Sequence, residues 1–196
     1  MVEFQHRNPH TLALTQFLMD NPASSVSDFD SLAFRPVKDA VKADLHTDQS
    51  GLCVYCEKGL SANEGQVEHI KPKAGPNGHP QLCFSYTNYA HSCINPKTCG
   101  QKKGNGLLPI EPGPGCNDQW TLSTDGTIEP IVGLTRAQSH AVRQTRDMLG
   151  LNRDSNLVDE RQRWLKNALF VLQQAPSDIQ QFLQDAPYRH ILATAL

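Results

Sequence analysis

The amino-acid sequence predicts an α+β protein in which helices at both ends flank a metal-stapled centre of short strands. Three observations predict it. Apolar residues recur at helical spacing before residue 50 and again after residue 134. From Gly51 to about Pro130 the texture changes to Gly, Pro, Cys and Asn, with apolar pieces too short and aperiodic to close a core by burial alone. All six cysteines fall in that stretch, four of them in two local pairs. The chain therefore divides into an N-terminal helical segment (1–50), a central segment (51–133) and a C-terminal helical segment (134–196).

In the first segment, Leu12, Leu14, Phe17 and Leu18 lie near helical spacing within Pro9 to Met19. Asn21-Pro22 ends that helix, because the residue before a proline is biased away from the α region. Pro36 opens a second helix, since a ring that fixes φ is tolerated in the first turn. Its apolar stripe of Val37, Val41 and Leu45 runs to about Thr47. In the last segment, Thr135 with Gln138 resembles a capping box, and Gly150 suits the end of a helix containing Ala141, Val142, Met148 and Leu149. A longer helix starts near Asn156, with Leu157, Arg161, Trp164, Leu165, Ala168, Leu169 and Leu172 on one face. Ser177 to Leu196 adds short helices broken at Pro187. Such faces can serve a core or a partner.

With 196 residues, 38% of them hydrophobic, the chain can bury an ordinary core. Its formal charge of −2 excludes a wholly basic, histone-like binder of nucleic acid. The centre is nevertheless locally basic: over residues 51–110 six lysines face three glutamates. There is no basic n-region followed by an apolar h-region, and no apolar run approaches the roughly 18 residues that cross a bilayer. The expectation is a cytoplasmic protein without membrane contact, in a reducing compartment where cysteines bind metal rather than pair.

Cys53-Val-Tyr-Cys56 is a C-x2-C knuckle, and Cys93 and Cys99 form a second pair around the longer insertion INPKT. Four thiolates in two local pairs match a tetrahedral structural zinc site, whose binding energy is folding energy for a segment too small to fold alone. Cys83 and Cys116 compete as ligands, Cys83 reading better as a buried apolar filler and Cys116 as a turn residue.

Between the two pairs lies Val67-Glu68-His69-Ile70-Lys71-Pro72-Lys73, followed by Ser85-Tyr86-Thr87-Asn88-Tyr89. Over residues 51–106 this order resembles the HNH endonuclease family. That family's pattern is an acidic residue and His ending a strand, x-Pro beyond it, an Asn before the second cysteine pair, and a His or Asn opening a helix. The resemblance implies a ββα-metal core stapled by Zn²⁺. In it His69 is the general base, Glu68 a ligand of a catalytic Mg²⁺ or Mn²⁺, and Asn88 the residue that bonds across the hairpin and holds the imidazole. The chemistry needs these types: an imidazole neutral near pH 7 can take a proton from water, and a carboxylate holds a hard cation against the phosphate. One position departs from the pattern. The usual His or Asn after the last cysteine is Gly100, which leaves Asn105 and His91 as candidates for a further metal ligand, with water filling the remainder. Lys71, Lys73, Lys102 and Lys103 are the expected phosphate contacts.

A wider similarity runs through CVYCE, VEHIKPK, SYTNYAHSC, KTCGQKKGN and LLPIEPGPGCNDQWTLSTDGTIEP. These segments look like the PtuB-like HNH effectors of retron-associated and Septu-type anti-phage systems. The resemblance implies a hetero-oligomer with an ABC-type (PtuA-like) ATPase, acting on nucleic acid, with DNA the favoured substrate and RNA the alternative. Two other readings stand beside it. One is a zinc-binding module that recruits nucleic acid or protein without cutting. The other, motivated by Gly100, is a catalytically weakened relative serving as a structural subunit.

Overall fold

A computed structural model describes residues 1–196. The chain runs α1 (Leu12–Asp20), α2 (Arg35–Asp48), β1 (Gln66–His69), β2 (Tyr89–Ser92), α3 (Cys99–Lys103), β3 (Trp120–Leu122), β4 (Ile128–Pro130), α4 (Arg136–Met148), α5 (Ser155–Gln174), α6 (Ile179–Asp185) and α7 (Arg189–Ala193). The strands form two separate antiparallel hairpins, β1–β2 and β3–β4, so the fold is α+β. No helix is long and apolar enough to cross a membrane.

The N-terminal helix starts at Leu12 rather than near Pro9, and the second helix spans one residue more than expected at each end. Between them Val26–Asp30 forms a 3-10 turn whose Asp28 carboxylate accepts from the Ser25 nitrogen at 2.7 Å. That turn, absent from the sequence expectation, drives Phe29 inward. Phe29 joins Leu14, Phe34, Val37, Val41 and Leu45 in an aromatic-rich core that also takes Cys83, Tyr86 and Tyr89 from the centre of the chain. The first core thus lies against one face of the β1–β2 hairpin.

A second, larger core holds the cysteine segment Leu52–Cys56, the β3–β4 hairpin and the C-terminal helices, with Trp120 fully buried among them. The expected caps are present: Thr135 and Gln138 exchange hydrogen bonds at the start of α4, and Gly150 ends that helix at φ +65°. The apolar stripe of α5 is largely spent inside this core. Leu157, Leu165 and Ala168 are buried and Trp164 packs on Phe182, while Leu169 and Phe170 stay exposed. The surplus apolar surface expected from the sequence is therefore small.

The β3–β4 hairpin lies in the Gly- and Pro-rich stretch, where its Asp125-Gly126 turn is the local signal. Gly126 is required twice over: its φ is +86°, and a Cβ there would run into the Val158 carbonyl of α5. Beside it Arg161, only 1% exposed, donates from Nε to the Gly126 carbonyl at 2.9 Å and from Nη2 to the Leu151 carbonyl at 2.8 Å. No carboxylate is bonded to it, and burial pushes its pKa down to about 10, so carbonyl dipoles hold a charged guanidinium in place. One side chain thereby ties the hairpin turn, the segment after α4, and α5.

Arg161→Met keeps the aliphatic stem and strands these buried carbonyls, at about 1–3 kcal/mol for each unsatisfied group. The variant is expected to unfold in urea with about 2–4 kcal/mol less stability. An unchanged midpoint would mean that the carbonyls are satisfied without the guanidinium.

Candidate active site and metal centre

The Sγ atoms of Cys53, Cys56, Cys93 and Cys99 lie within 4.8 Å of one another, with Cys53–Cys99 at 3.8 Å and Cys56–Cys93 at 4.0 Å. A tetrahedral ion about 2.3 Å from each sulfur would space the sulfurs about 3.8 Å apart, so the four thiols fit a metal ion of that kind. The Cys93 nitrogen points at Cys53 Sγ at 3.3 Å, and Cys99 opens α3 with its nitrogen bonded to the Leu149 carbonyl at 2.9 Å. The long insertion between Cys93 and Cys99 bulges outward, with Ile94 exposed. Cys83 lies in the aromatic core and Cys116 turns its sulfur to the carbonyls of Met1 and Val2, both away from the cluster.

The cysteines fix what lies beside them. Strand β1 pairs with β2 in the register Val67↔His91, Glu68↔Ala90 and His69↔Tyr89, and α3 starts at a cluster cysteine. Glu68 and His69, adjacent on the strand, leave it on opposite faces. Both nevertheless line one cleft of about 270 Å³, because the strand ends there and α3 closes the other wall with Gly100, Lys103 and Asn105 nearby.

His69 is buried, with its ring 4.5 Å from that of Phe29 and 5.2 Å from that of Tyr89. Its Nε2 lies 2.9 Å from the Cys83 carbonyl. A carbonyl can only accept, so Nε2 carries the proton and Nδ1 keeps its lone pair. The Tyr89 hydroxyl donates to the same carbonyl at 2.5 Å. Burial pushes the imidazole pKa down to about 4 against the opposing carbonyl bond, and the positive charges of Lys73 and Lys103 act in the same direction as burial. At neutral pH the ring is a neutral base.

The Glu68 carboxylate is buried too, which raises its pKa, while Lys103 opposes that rise from 2.8 Å. Its Oε2 accepts from Gln66 Nε2 at 3.2 Å, and the Tyr55 hydroxyl faces Oε1 at 3.5 Å. Gly100 abuts the same carboxylate. A Cβ at that position would press on Glu68 Oε2, so a larger residue there would have to turn the Glu68 side chain aside. The site uses glycine to let α3 approach β1.

Several expected roles change. Asn88 bonds across the hairpin, but not to the imidazole: Oδ1 accepts from the Lys71 nitrogen at 2.8 Å and Nδ2 donates to the Lys71 carbonyl at 3.0 Å. It clamps the main chain just beyond His69. His91 is not brought to Glu68. Its Nε2 bonds the Glu64 carbonyl at 2.8 Å and its ring packs on His46, because its place opposite Val67 turns it to the other face of the hairpin from Glu68. Among the four lysines, Lys71 lies 3.9 Å from Glu111, Lys73 2.8 Å from Asp30, and Lys103 is buried on Glu68. Only Lys102 is exposed and unpaired. Asn105 does line the cleft. Phe29 and the Cys83 carbonyl, which frame the imidazole, carried no sequence signal, the first because it lies 40 residues upstream and the second because it is a main-chain atom.

No protein-family model matches the chain. A protein of Vibrio cholerae serotype O1 biovar El Tor, described as "Retron Vc95 putative HNH endonuclease", is 39% identical over 201 residues, covering 98% of each chain. The chain belongs to the HNH endonuclease family linked to retron defence. In that HNH family setting the Glu68–His69 cleft becomes the candidate active site, and the four-cysteine cluster its candidate scaffold.

Replacing Cys53 or Cys99 by Ser is expected to abolish stoichiometric metal binding and to loosen the β1–β2 hairpin, whereas Cys116→Ser keeps both. Elemental analysis and hydrogen exchange read the two effects. Metal retained in Cys53→Ser, or lost in Cys116→Ser, would assign the ligands differently.

Proposed function

We propose that the chain is a metal-dependent endonuclease that hydrolyses phosphodiester bonds of DNA, with residues 51–133 forming a zinc-stapled ββα-metal core. One observation carries this reading: a buried, neutral imidazole whose Nε2–H is tied to a main-chain carbonyl, leaving Nδ1 free in a cleft that a buried carboxylate also lines. His69 Nδ1 takes the proton of the attacking water. Asn88 and the Cys83 carbonyl fix the backbone and ring that present it. Glu68 Oε2, with Asn105 across the cleft, would hold a divalent ion. One carboxylate and one carboxamide suit Mg²⁺ or Mn²⁺, hard ions that keep several waters. Such an ion supplies charge neutralisation at the scissile phosphate and the departing oxygen. Lys103 holds Glu68 from the opposite side and opposes the rise in its pKa that burial causes.

The pairing of Glu68 with Lys103 also favours a second reading, a weakened relative that serves as a structural subunit. Plasmid nicking with Mg²⁺ or Mn²⁺ separates the two, since only the first reading allows product. The wider resemblance supports a Septu-type defence role with an ABC-type ATPase partner, for which exposed Leu169 and Phe170 on α5 offer a small apolar contact. Co-purification with an ATPase encoded beside the gene tests it, and a chain fully active and unregulated by itself would count against that partner.

His69→Ala is expected to lower cleavage by about 10² to 10⁴ while metal content and folding stay intact. Equal activity in a folded His69→Ala protein would remove the base from this position. The pH profile supplies an independent check. Protonation removes the base, so the acid limb of cleavage should lie below the ordinary histidine range, where Glu68, whose pKa burial raises, and then His69 at about 4 take up protons. An acid limb centred near 6.5 would contradict the buried imidazole.

A further inference from the structure

Of the 18 lysines and arginines, eight lie within 4.0 Å of a carboxylate. Arg7, Lys38, Lys58, Lys73, Lys103 and Arg146 each lie within 3.0 Å of a carboxylate. Three that form no ion pair, Lys102, Arg143 and Arg153, converge with His140 and Gln144 on one cleft of about 520 Å³ between α3, α4 and the segment after α4. All five side chains are exposed. The one carboxylate there, Asp147, is held by Arg146 Nε at 2.9 Å, so the cleft carries an excess of free positive charge. On α4 the row continues: Arg136, His140 and Arg143 are spaced four and three residues apart and share a helix face.

The position of the cleft gives that charge a use. Lys103 lines both this cleft and the one holding Glu68 and His69, so the two adjoin across α3. Gly150 lets the segment after α4 pack on α3, since a Cβ there would run into the Lys97 carbonyl and would lie 3.3 Å from Lys102 Cγ. On a chain with net charge −2, a row of unpaired cations that begins beside a hydrolytic cleft concentrates attraction for an anionic strand next to that cleft.

We infer that the cleft of Lys102, Arg143 and Arg153 is a phosphodiester-backbone binding site, which leads the strand across α3 into the Glu68–His69 cleft. The inference rests on the proposed nuclease reading. It extends substrate contact beyond the hairpin lysines, Lys71 near Glu111 and Lys73 sharing Asp30 with Lys38, to the α3–α4 groove. Phosphate contacts of this kind set affinity and register without reading sequence.

The test measures binding apart from cleavage. Fluorescence anisotropy of a labelled DNA duplex is followed over a salt series with full-length protein carrying His69→Ala, so that no substrate is consumed. Adding Arg143→Ala and Arg153→Ala is expected to weaken binding more than about tenfold at 0.1 M salt. It should also reduce the slope of log K against log salt by about 1.8, the value for two lost contacts. Arg163→Ala with Lys166→Ala, which removes the same charge from the exposed side of α5, is expected to leave both unchanged. Equal weakening by the two pairs, or no weakening by the first, would overturn the cleft. Cleavage by the wild-type chain would then still stand. Binding that depends on Arg143 and Arg153, in a wild-type chain that never nicks DNA even with the co-purified ATPase, would keep the cleft and remove the nuclease reading.

Discussion

Four sulfurs gathered within 4.8 Å, a set that could hold a metal ion, mark the point where three stretches of chain meet. The knuckle at Cys53 and Cys56, the end of β2 at Cys93 and the start of α3 at Cys99 meet at this point, and the orientation of α3 follows from it. Because α3 starts there, Gly100 reaches Glu68 and Lys103 reaches both that carboxylate and the His69 carbonyl, at 2.8 and 3.0 Å. The two hydrophobic cores, one on each side of the hairpin, then have a fixed object to pack against. Chemistry and packing are in series here: a loose sulfur cluster would release α3 before it released either core.

Much of this was legible in the sequence, and what was legible has a common character. Periodic apolar stripes foretold α1, α2, α4 and α5, and a capping box and a terminal glycine bounded α4, because these signals are local. The two cysteine pairs, with the intervening Glu-His, pointed to one neighbourhood of the fold for the same reason. What was hidden depends on contacts between distant segments. The 3-10 turn that sends Phe29 to the imidazole has no periodicity to read. Asn88 and His91 sit on one short stretch, yet register alone decides that one clamps the backbone past His69 and the other faces His46. The pairing of Lys71 with Glu111 and of Lys73 with Asp30 joins residues some 40 positions apart in either direction.

Glu68 shows how electrostatics and shape are traded in a small site. Burying a carboxylate without a partner is costly, and the cost falls sharply when an ammonium and an amide share it. Glycine at position 100 lets the helix lie against this carboxylate, and a Cβ there would have to push the Glu68 side chain aside. Arg161 solves the inverse problem in the second core, where carbonyl dipoles surround a cation with no acid in reach. In both cases a charge inside the protein is stabilised by groups brought from separate elements, which makes each a cross-link as well as a charge.

The tether on His69 is a main-chain oxygen, and this has a consequence for how the site can vary over evolutionary time. Every amino acid at position 83 supplies the same carbonyl, so the tautomer of the imidazole is insulated from substitution there. Selection at that position acts on volume instead, since the thiol fills a gap among Phe29, Phe34 and Tyr89. A residue can thus drift in chemical identity while its contribution to the base stays constant. Divergent relatives could therefore differ at the very residue that orients the histidine and still share its protonation state.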